Sequence, residues 1–511
     1  MPRDVHSPIM SIDAKVLGYH RQDKFLKIFE CKHFDTYVYY NKCYCNEFEG
    51  LLNRHLLPLL GPDVVAGRVV GGYQVDSVED LRRGYRRIAD MLKTFVGGTL
   101  QMVSHNTLIA HTRQKILQRY RNARAQLEAR REYVAERHAC LKAFVKFEKM
   151  KLGDLADGAW KPPRIIQFRT FEYLYVLKKR LLAYSMLVKE CDVIWNFQEY
   201  RTVFTKNYDQ KTGCMLVREH WDKLKNPVAL CLDHSHYDGS KTEEALGAEH
   251  EFWLDLFGGD RHLKDLLRYQ RYNRGYTSGG LKYKVKGKRC SGEFTTSDGN
   301  SIDNLIMLET YCHASGFTKF FIFVNGDDSI ILIESLELER RLDTTYFRRF
   351  NFVTKLDRIA ETFEQIDYCQ CSPVLIGAGW TWVRKPPRVM SRASICPYQY
   401  LSCIDRYLTG VGLCELATNQ GVPILQAFAI FLLRQGGFVR PLGSVDKIPA
   451  RLSGNQIIEL LPISDVSRVS FQEAFGYTPQ EQIMWEQYLA GNADRTQLIK
   501  FLKVYKHFHN A

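Results

Sequence analysis

The sequence predicts an α+β fold, a strand-bearing centre flanked by helical parts, and three observations lead there. At 511 residues the chain exceeds what one hydrophobic core serves, so two to four parts sharing one body are expected. Short apolar, β-prone runs bounded by polar or turn residues recur at 227–233 (PVALCLD), 319–334 (KFFIFVNGDDSIILIE) and 372–383 (SPVLIGAGWTWV), as buried strands do. Stretches without glycine or proline read as helices: 113–137 is densely charged, and 171–190 sets Leu174, Leu177, Leu181, Leu182 and Met186 near helical spacing. After about residue 398 strand signals fade and helical ones dominate, so a helical C-terminal lobe is expected.

Composition narrows the function. The hydrophobic fraction of 45% and the charged fraction of 25% are ordinary globular values and exclude wholesale disorder. The net charge of +14 favours a polyanionic partner, nucleic acid or an anionic membrane surface. That charge is concentrated: residues 101–200 hold 19 Lys/Arg against 10 Asp/Glu, and 268–289 holds eight basic residues and no acidic one. Two basic segments that converge in space would line a channel. No repeat or low-complexity segment points to a solenoid or a tail.

The 14 cysteines are scattered, and Cys140, Cys191, Cys231 and Cys312 sit in apolar sequence, as reduced intracellular thiols do. The opening MPRDVHSPIM has charge and proline where a signal peptide needs an apolar run. The longest apolar stretch, 422–433, is too short to span a bilayer and is interrupted by Gln426, so a core helix is expected there. A cytoplasmic chain follows, with any membrane association supplied by a partner. Cys31, His33, Cys43 and Cys45 have spacings atypical of structural zinc sites, and Cys369 and Cys371 are expected to alternate along a strand. No G-x4-G-K-[ST], G-x-S-x-G or H-E-x-x-H pattern marks an ATPase, serine hydrolase or zinc protease.

Three segments carry chemistry. In FIFVNGDDSIILI two apolar runs flank Asn325, Gly326, Asp327 and Asp328, which reads as a hairpin with carboxylates on its turn. Adjacent aspartates there are costly unless a cation offsets them, and hard oxygen ligands favour Mg²⁺ or Mn²⁺; a solvated surface turn fits the same residues. In VALCLDHSHYDGS, Asp233 ends an apolar strand and Asp238 follows five positions on. A strand-end aspartate can meet the hairpin across a sheet and complete a two-metal site for in-line phosphoryl transfer; a helix cap is the other use of that position. Between them, Ser291, Gly292, Thr296 and Asn300 give S-G-x3-T-x3-N, which fits contacts to a template backbone and a ribose hydroxyl, or a capped helix start.

The order D-x4-D, S-G-x3-T-x3-N, G-D-D resembles motifs A, B and C of viral RNA-directed RNA polymerases. Upstream, Lys146, Glu148, Lys149, Pro163, Arg164, Ile166, Gln167 and Arg169 resemble the K-x-E-K and P-R-x-I-Q-x-R fingers segment of the tombusvirus-like plant-virus polymerases. Downstream, Lys355 and Tyr368-Cys369-Gln370 resemble that family's motifs D and E. The resemblance covers about 100–400, and weakly 40–60. Glu293 stands where the family commonly has Asp, and Phe168 where Pro is usual.

The resemblance implies a right-hand polymerase: an N-terminal extension and fingers over 1–189, an antiparallel, RRM-like palm sheet from 190–245 and 290–385, a fingers insertion at 246–289 and a helical thumb over 386–511. It implies template-directed transfer of nucleoside monophosphates from NTPs to an RNA 3′-hydroxyl, replicating a positive-strand genome without a primer. Asp233 and Asp327, with Asp328 in support, would hold two Mg²⁺ or Mn²⁺ ions, and Lys355 would act as general acid. Asp238 and Asn300, with Ser291 or Thr296 nearby, would bind the ribose 2′-hydroxyl, and Lys146, Lys149, Arg164 and Arg169 the triphosphate.

Arg268, Arg271, Lys282, Lys284 and Lys286, with Gly292, would contact RNA. The tyrosines interleaved at 268–289 suit base stacking, and lysines at alternate positions share one strand face. The implied partners are a single-stranded template, nascent RNA, NTPs, a membrane-anchored viral replication protein and host factors, in the host cytoplasm at membrane-associated complexes. No membrane anchor is expected in this chain. Two rivals stay open. A reverse transcriptase shares the palm, though Asn325-Gly326 and the Asp238/Asn300 pair argue against it; an RNA-binding scaffold would keep the fold without the reaction.

Overall fold

In the computed structural model the described residues are 9–11, 20–21, 25–27, 36–55, 57–65, 68–112, 114–130, 135–152, 161–197, 202–339, 342–377, 379–393, 395–442, 458–490 and 498. The strands that organise them are, in chain order, β1 (Ile9–Ser11), β2 (Leu141–Val145), β3 (Ile165–Phe168), β4 (Thr202–Phe204), β5 (Pro227–Ser235) and β6 (Tyr272–Thr277). Then follow β7 (Lys282–Lys286), β8 (Phe320–Asn325), β9 (Asp328–Glu334), β10 (Val353–Ala360), β11 (Cys371–Ile376) and β12 (Gly379–Arg384). The helices used below are α1 (Tyr44–His55), α2 (Ser77–Val96), α3 (Gln114–Arg130), α4 (Phe171–Phe197), α5 (Gln210–Trp221) and α6 (Glu243–Leu256). They continue with α7 (Arg261–Arg271), α8 (Thr296–Ala314), α9 (Ile404–Thr418), α10 (Leu425–Gln435), α11 (Asp465–Phe475) and α12 (Pro479–Ala490). The fold is α+β.

The central sheet has the order β4-β8-β9-β5-β10. β4 runs parallel to β8, and the other neighbours are antiparallel. Both of its faces are buried. Val228, Leu230 and Leu232 of β5 join a core with Tyr85 and Ile88 of α2, Phe252 and Trp253 of α6, and Ile302, Leu305 and Ile306 of α8. Ala229 and Cys231 face the opposite core, with Cys214, Val217 and Trp221 of α5 and Trp382 of β12. Successive residues of a strand point to opposite faces, so a strand covered on both sides needs apolar residues throughout, which is why 227–233 reads as one unbroken run. Each large side chain so buried contributes about 1.5–3 kcal/mol.

A second sheet, ordered β1-β7-β6-β2-β3, is covered on one side only. Leu141, Ala143, Val145, Ile165, Tyr283 and Val285 pack against Leu51 of α1. The strict alternation of β7 leaves Lys282, Lys284 and Lys286 exposed together, and β6 adds Tyr272, Arg274 and Tyr276 to the same face. The cross-strand pairs are Tyr272 with Lys286, Arg274 with Lys284, and Tyr276 with Lys282.

The C-terminal lobe is helical. Leu408, Val411, Leu425, Phe428, Leu432 and Phe471 from α9, α10 and α11 share a core with Val374 and Val383 of the β11–β12 hairpin. The apolar stretch at 422–433 is therefore core: Leu425, Phe428, Ala429, Leu432 and Leu433 of α10 are buried. Among the described residues no helix is long and apolar enough to cross a membrane.

The charged segment 113–137 is helical over α3 and over Ala135–His138, with residues 113 and 131–134 outside the described residues. One expectation changes. Cys369 and Cys371 do not alternate along one strand. Cys369 (φ 52°) and Gln370 (φ 62°) are left-handed and form a tight turn, and Tyr368 and Cys371 exchange backbone hydrogen bonds of 2.9 and 3.0 Å across it before β11 begins. Two consecutive non-glycine residues at positive φ carry backbone strain, which sequence propensity does not anticipate. Cys31 and His33 lie outside the described residues.

Candidate active site

The β8–β9 hairpin closes on the pair Asn325 and Asp328, leaving Gly326 and Asp327 as the turn. Gly326 has φ 71°, and a β-carbon there would meet nothing, so backbone conformation and not space selects glycine. Helix α8 holds the turn from behind. Gly326 N donates to Ser301 Oγ at 2.9 Å, and Asn304 Nδ2 donates to the carbonyls of Gly326 (3.0 Å) and Asp327 (3.3 Å). Asn304 Oδ1 lies 3.0 Å from His234 Nε2, and His234 Nδ1 lies 2.7 Å from Thr354 Oγ1. Burial lowers the His234 pKa to about 4, so the ring is neutral. Because Asn304 Nδ2 is committed as a donor, the His234 proton sits on Nε2 and the threonine hydroxyl donates to Nδ1.

Asp233 reaches the hairpin along the β5–β9 ladder, whose last pair, Leu232 with Ser329, is one step short of Asp233 and Asp328. Burial raises the pKa of all three carboxyls. Asp357 raises Asp233 further, Asp238 and Asp233 raise Asp327, and Asp327 and Asp233 raise Asp328, to about 7. On the other side of β5, Lys355 of β10 pairs directly with Asp233. Between Cys231 and Leu232 the register slips by one residue and Asp357 becomes the extra residue of a β-bulge. Bulges re-aim side chains, and this one brings a fourth carboxylate into the field of Asp233.

Asp238 sits on a short helix, Tyr237–Ser240, entered through His236 in the left-handed region (φ 52°). Asp238 Oδ1 accepts from Asn300 Nδ2 at 2.9 Å, and Asp238 Oδ2 accepts from Arg54 Nη1 of α1 at 2.8 Å. The amide of Asn300 is oriented from behind, since its Oδ1 accepts from Arg289 Nε at 3.2 Å. Arg289 belongs to a buried charge cluster. It pairs with Glu249; Lys241 pairs with Asp303 and lies 3.5 Å from Glu249; Tyr85 donates to Asp303; and Trp253 Nε1 donates to Glu249 at 3.1 Å. Two cations and two anions balance, as buried charges must. Arg289 and Lys241 hold Glu249 down at about 2, against its burial.

The other expected contacts divide. Ser291 Oγ donates to the carbonyl of Ile165 at 2.9 Å and Thr296 Oγ1 to that of Cys290 at 3.0 Å, so both hydroxyls tie down the loop that enters α8. Gly292 lies so close to β3 that a β-carbon would sit 2.3 Å from the Gln167 carbonyl oxygen. Lys146 (3.3 Å) and Arg164 both pair with Glu148, and the charge of Asp327 is felt at Arg164. Lys149 instead donates to the carbonyls of Arg392 and, at 3.0 Å, Ile395; burial and Arg392 lower its pKa to about 7. Arg169 is fully buried on Glu293 and also donates to Asn273 Oδ1 (2.6 Å) and the Ala139 carbonyl (2.5 Å). Its guanidinium is spent inside the fold, away from the triphosphate contact expected of it.

The departure at Glu293 thus has a structural partner. On the second sheet, Arg271 and Lys286 share Glu243, at 2.8 and 2.5 Å, and Arg268 lines a cavity of about 230 Å³ with Tyr269, Tyr272 and Arg274. A larger cavity of about 680 Å³ lies beside the hairpin, lined by Asn325, Cys369, Lys149, Lys206, Arg388 and Arg392 among others.

The carboxylates suit divalent cations by their chemistry: three oxygen-bearing groups, on β5, on the hairpin turn and at the start of β9, whose pKa values are raised by burial and by neighbouring carboxylates. Among the described residues no group of three or more His, Cys, Asp or Glu is placed to hold a metal ion; Mg²⁺ uses one or two carboxylates together with waters and substrate phosphates. Four residues of this site escaped the sequence reading: Arg54, Arg289, Asn304 and Asp357. Asn304 had a signal, four positions after Asn300 on one helix face, and Arg289 showed only as one of the eight basic residues of 268–289; Arg54 and Asp357 had none.

Residues 13–496 match the family model described as viral RNA dependent RNA polymerase. Among similar proteins, each named RNA-directed RNA polymerase, that of Tobacco necrosis virus (strain A) is 34% identical over 370 residues, covering 68% of this chain and 49% of the relative. That of Melon necrotic spot virus is 31% identical over 362 residues, 68% of this chain and 45% of the relative. That of Carnation mottle virus is 29% identical over 462 residues, 88% of this chain and 58% of the relative. The chain spans about half the length of the curated relatives it matches.

Proposed function

The chain belongs to the viral RNA-dependent RNA polymerase family, and from that membership and the geometry above we propose that it is the polymerase part of a positive-strand RNA virus replicase. The single observation that carries this reading is Asp233 of β5 next to the β8–β9 hairpin that bears Asp327 on its turn and Asp328 at the start of β9, beside the Asp238/Asn300 pair.

In this reading the central sheet is the palm, the second sheet and its helices the fingers, and the lobe after about residue 386 the thumb. Asp233 and Asp327, supported by Asp328, would hold two divalent ions, and such ions would supply nucleophile activation and charge stabilisation for phosphoryl transfer. Asp238 accepts the ribose 2′-hydroxyl while Asn300 fixes the carboxylate that accepts it. Arg164 and Lys146, gathered on Glu148 beside Asp327, meet the triphosphate, with Lys149 near them on the 392–395 backbone. The Nζ proton of Lys355, opposite Asp233, passes to the pyrophosphate.

The exposed face of β6 and β7 tracks single-stranded RNA, with lysines on phosphates and Tyr272 and Tyr276 under the bases. Initiation is primer-independent. The complex assembles in the host cytoplasm, where a membrane-anchored viral replication protein and host factors join it. Incubation with a defined single-stranded RNA, four NTPs and Mg²⁺ tests the reading: the product should be RNA complementary to the template, and product unrelated to the template would contradict it.

A further inference from the structure

We propose that Arg54 is a positioning residue that sets selection of ribonucleotides over deoxyribonucleotides by fixing the Asp238 carboxylate; the inference rests on the polymerase reading above. Arg54 lies at the C-terminal end of α1, outside every segment that carries the reaction, yet its guanidinium bonds Asp238 Oδ2 at 2.8 Å. Only 16% of the Arg54 side chain and 12% of the Asp238 side chain are exposed, so the pair is largely screened from solvent.

The whole neighbourhood is built to bring this arginine to the ribose turn. Gly239 lacks a side chain where a β-carbon would sit 2.6 Å from Leu57 Cδ1 and 3.1 Å from the Arg54 carbonyl oxygen. Lys288 Nζ bridges the two segments, donating to the carbonyls of Leu57 (3.2 Å) and Gly239 (2.7 Å). Asn351 repeats the bridge, accepting from Leu60 N and donating to the Ser240 carbonyl, both at 2.8 Å. Three separate ties thus seat Arg54, Leu57 and Leu60 on residues 238–240.

A carboxylate offers about four acceptor positions. Asn300 takes one on Oδ1 and Arg54 one on Oδ2, which stops rotation of the group and leaves the remaining positions for a hydroxyl. The positive charge also offsets a carboxylate that otherwise adds to the repulsion on Asp327. A site built to pair with a hydroxyl rejects an analogue lacking it, because its buried acceptor is then left unmatched. Loosening Asp238 removes that penalty selectively: the ribonucleotide loses its fixed partner and the deoxyribonucleotide loses nothing.

The test is single-nucleotide incorporation of ATP and dATP on an RNA template by the wild-type chain and by Arg54→Ala, Arg54→Gln and Arg54→Lys, with circular dichroism and RNA affinity as controls for folding. The ratio of kcat/KM for ATP to that for dATP should fall about tenfold in Arg54→Ala and Arg54→Gln. It should fall less in Arg54→Lys, which keeps the charge, and the dATP value should hardly move. Equal losses for both nucleotides in the folded variants would overturn the inference and make Arg54 a phosphate contact or a structural residue. A wild-type chain that incorporates neither nucleotide overturns the polymerase reading, and this inference with it.

Discussion

Asn304 donates its side-chain amide to the carbonyl of Gly326 at 3.0 Å, so the turn that carries Asp327 is fixed by a helix and not by its own two residues. Asn304→Ala leaves that carbonyl and the His234 Nε2 proton without their partner in a buried setting. The expected cost is about 1–3 kcal/mol of stability. Displacing the carboxylate should also lower kcat for nucleotide incorporation about tenfold or more, since reacting groups tolerate little misplacement. RNA affinity should not change. Filter binding beside steady-state kinetics separates the two effects.

Asp328 carries a pH signature. Its pKa is raised from 3.8 to about 7, first by burial and then by Asp327 and Asp233. The folded chain therefore holds a proton there that the unfolded chain has lost, and its stability falls as pH rises between those values. With chelator present, Asp328→Asn should melt at a higher temperature than wild type, by more at pH 8 than at pH 5.5. Mg²⁺ should raise the wild-type melting temperature at pH 8 and raise that of the variant less. Thermal melts at both pH values, with EDTA and with Mg²⁺, check both points.

Arg169 and Glu293 form a fully buried pair, so removing one partner strands the other. Arg169→Met should cost about 3–5 kcal/mol, and the double variant Arg169→Met/Glu293→Met should recover much of that. Recovery in the double variant would mark the pair as structural. Chemical unfolding of the three proteins measures it.

Lys282, Lys284 and Lys286 share one exposed face. If all three meet phosphates, replacing them with alanine should weaken single-stranded RNA binding irrespective of sequence. It should also reduce the slope of log affinity against log salt by about two. Titrations at several salt concentrations with two unrelated RNAs decide this; an unchanged slope would place the RNA elsewhere.

Much of this was legible in the sequence wherever local pattern and chemistry coincide. The apolar run 227–233 and the hairpin around Asp327 and Asp328 announce themselves because both faces of the central sheet are covered. The alternation of Lys282, Lys284 and Lys286 fixes their common face for the opposite reason, since the second sheet is covered on one side only. The paired environments were not legible. Arg54 meets Asp238 across 184 residues and Arg169 meets Glu293 across 124, so no spacing rule connects them. Reading Arg169 as a phosphate contact failed because sequence shows a charge but not whether a buried partner has already taken it. The Cys369-Gln370 turn and the Asp357 bulge escaped because each departs from what its residues prefer locally, and only the surrounding fold enforces it.

The most direct test of the central claim compares the wild-type chain with Asp327→Ala in labelled-NTP incorporation on a single-stranded RNA template with Mg²⁺ or Mn²⁺, with RNA affinity measured alongside. Template-length RNA from the wild type and none from the variant, at equal RNA affinity, is the predicted result. An Asp327→Ala protein that extends RNA as fast as wild type would contradict the assignment of the reaction to these carboxylates.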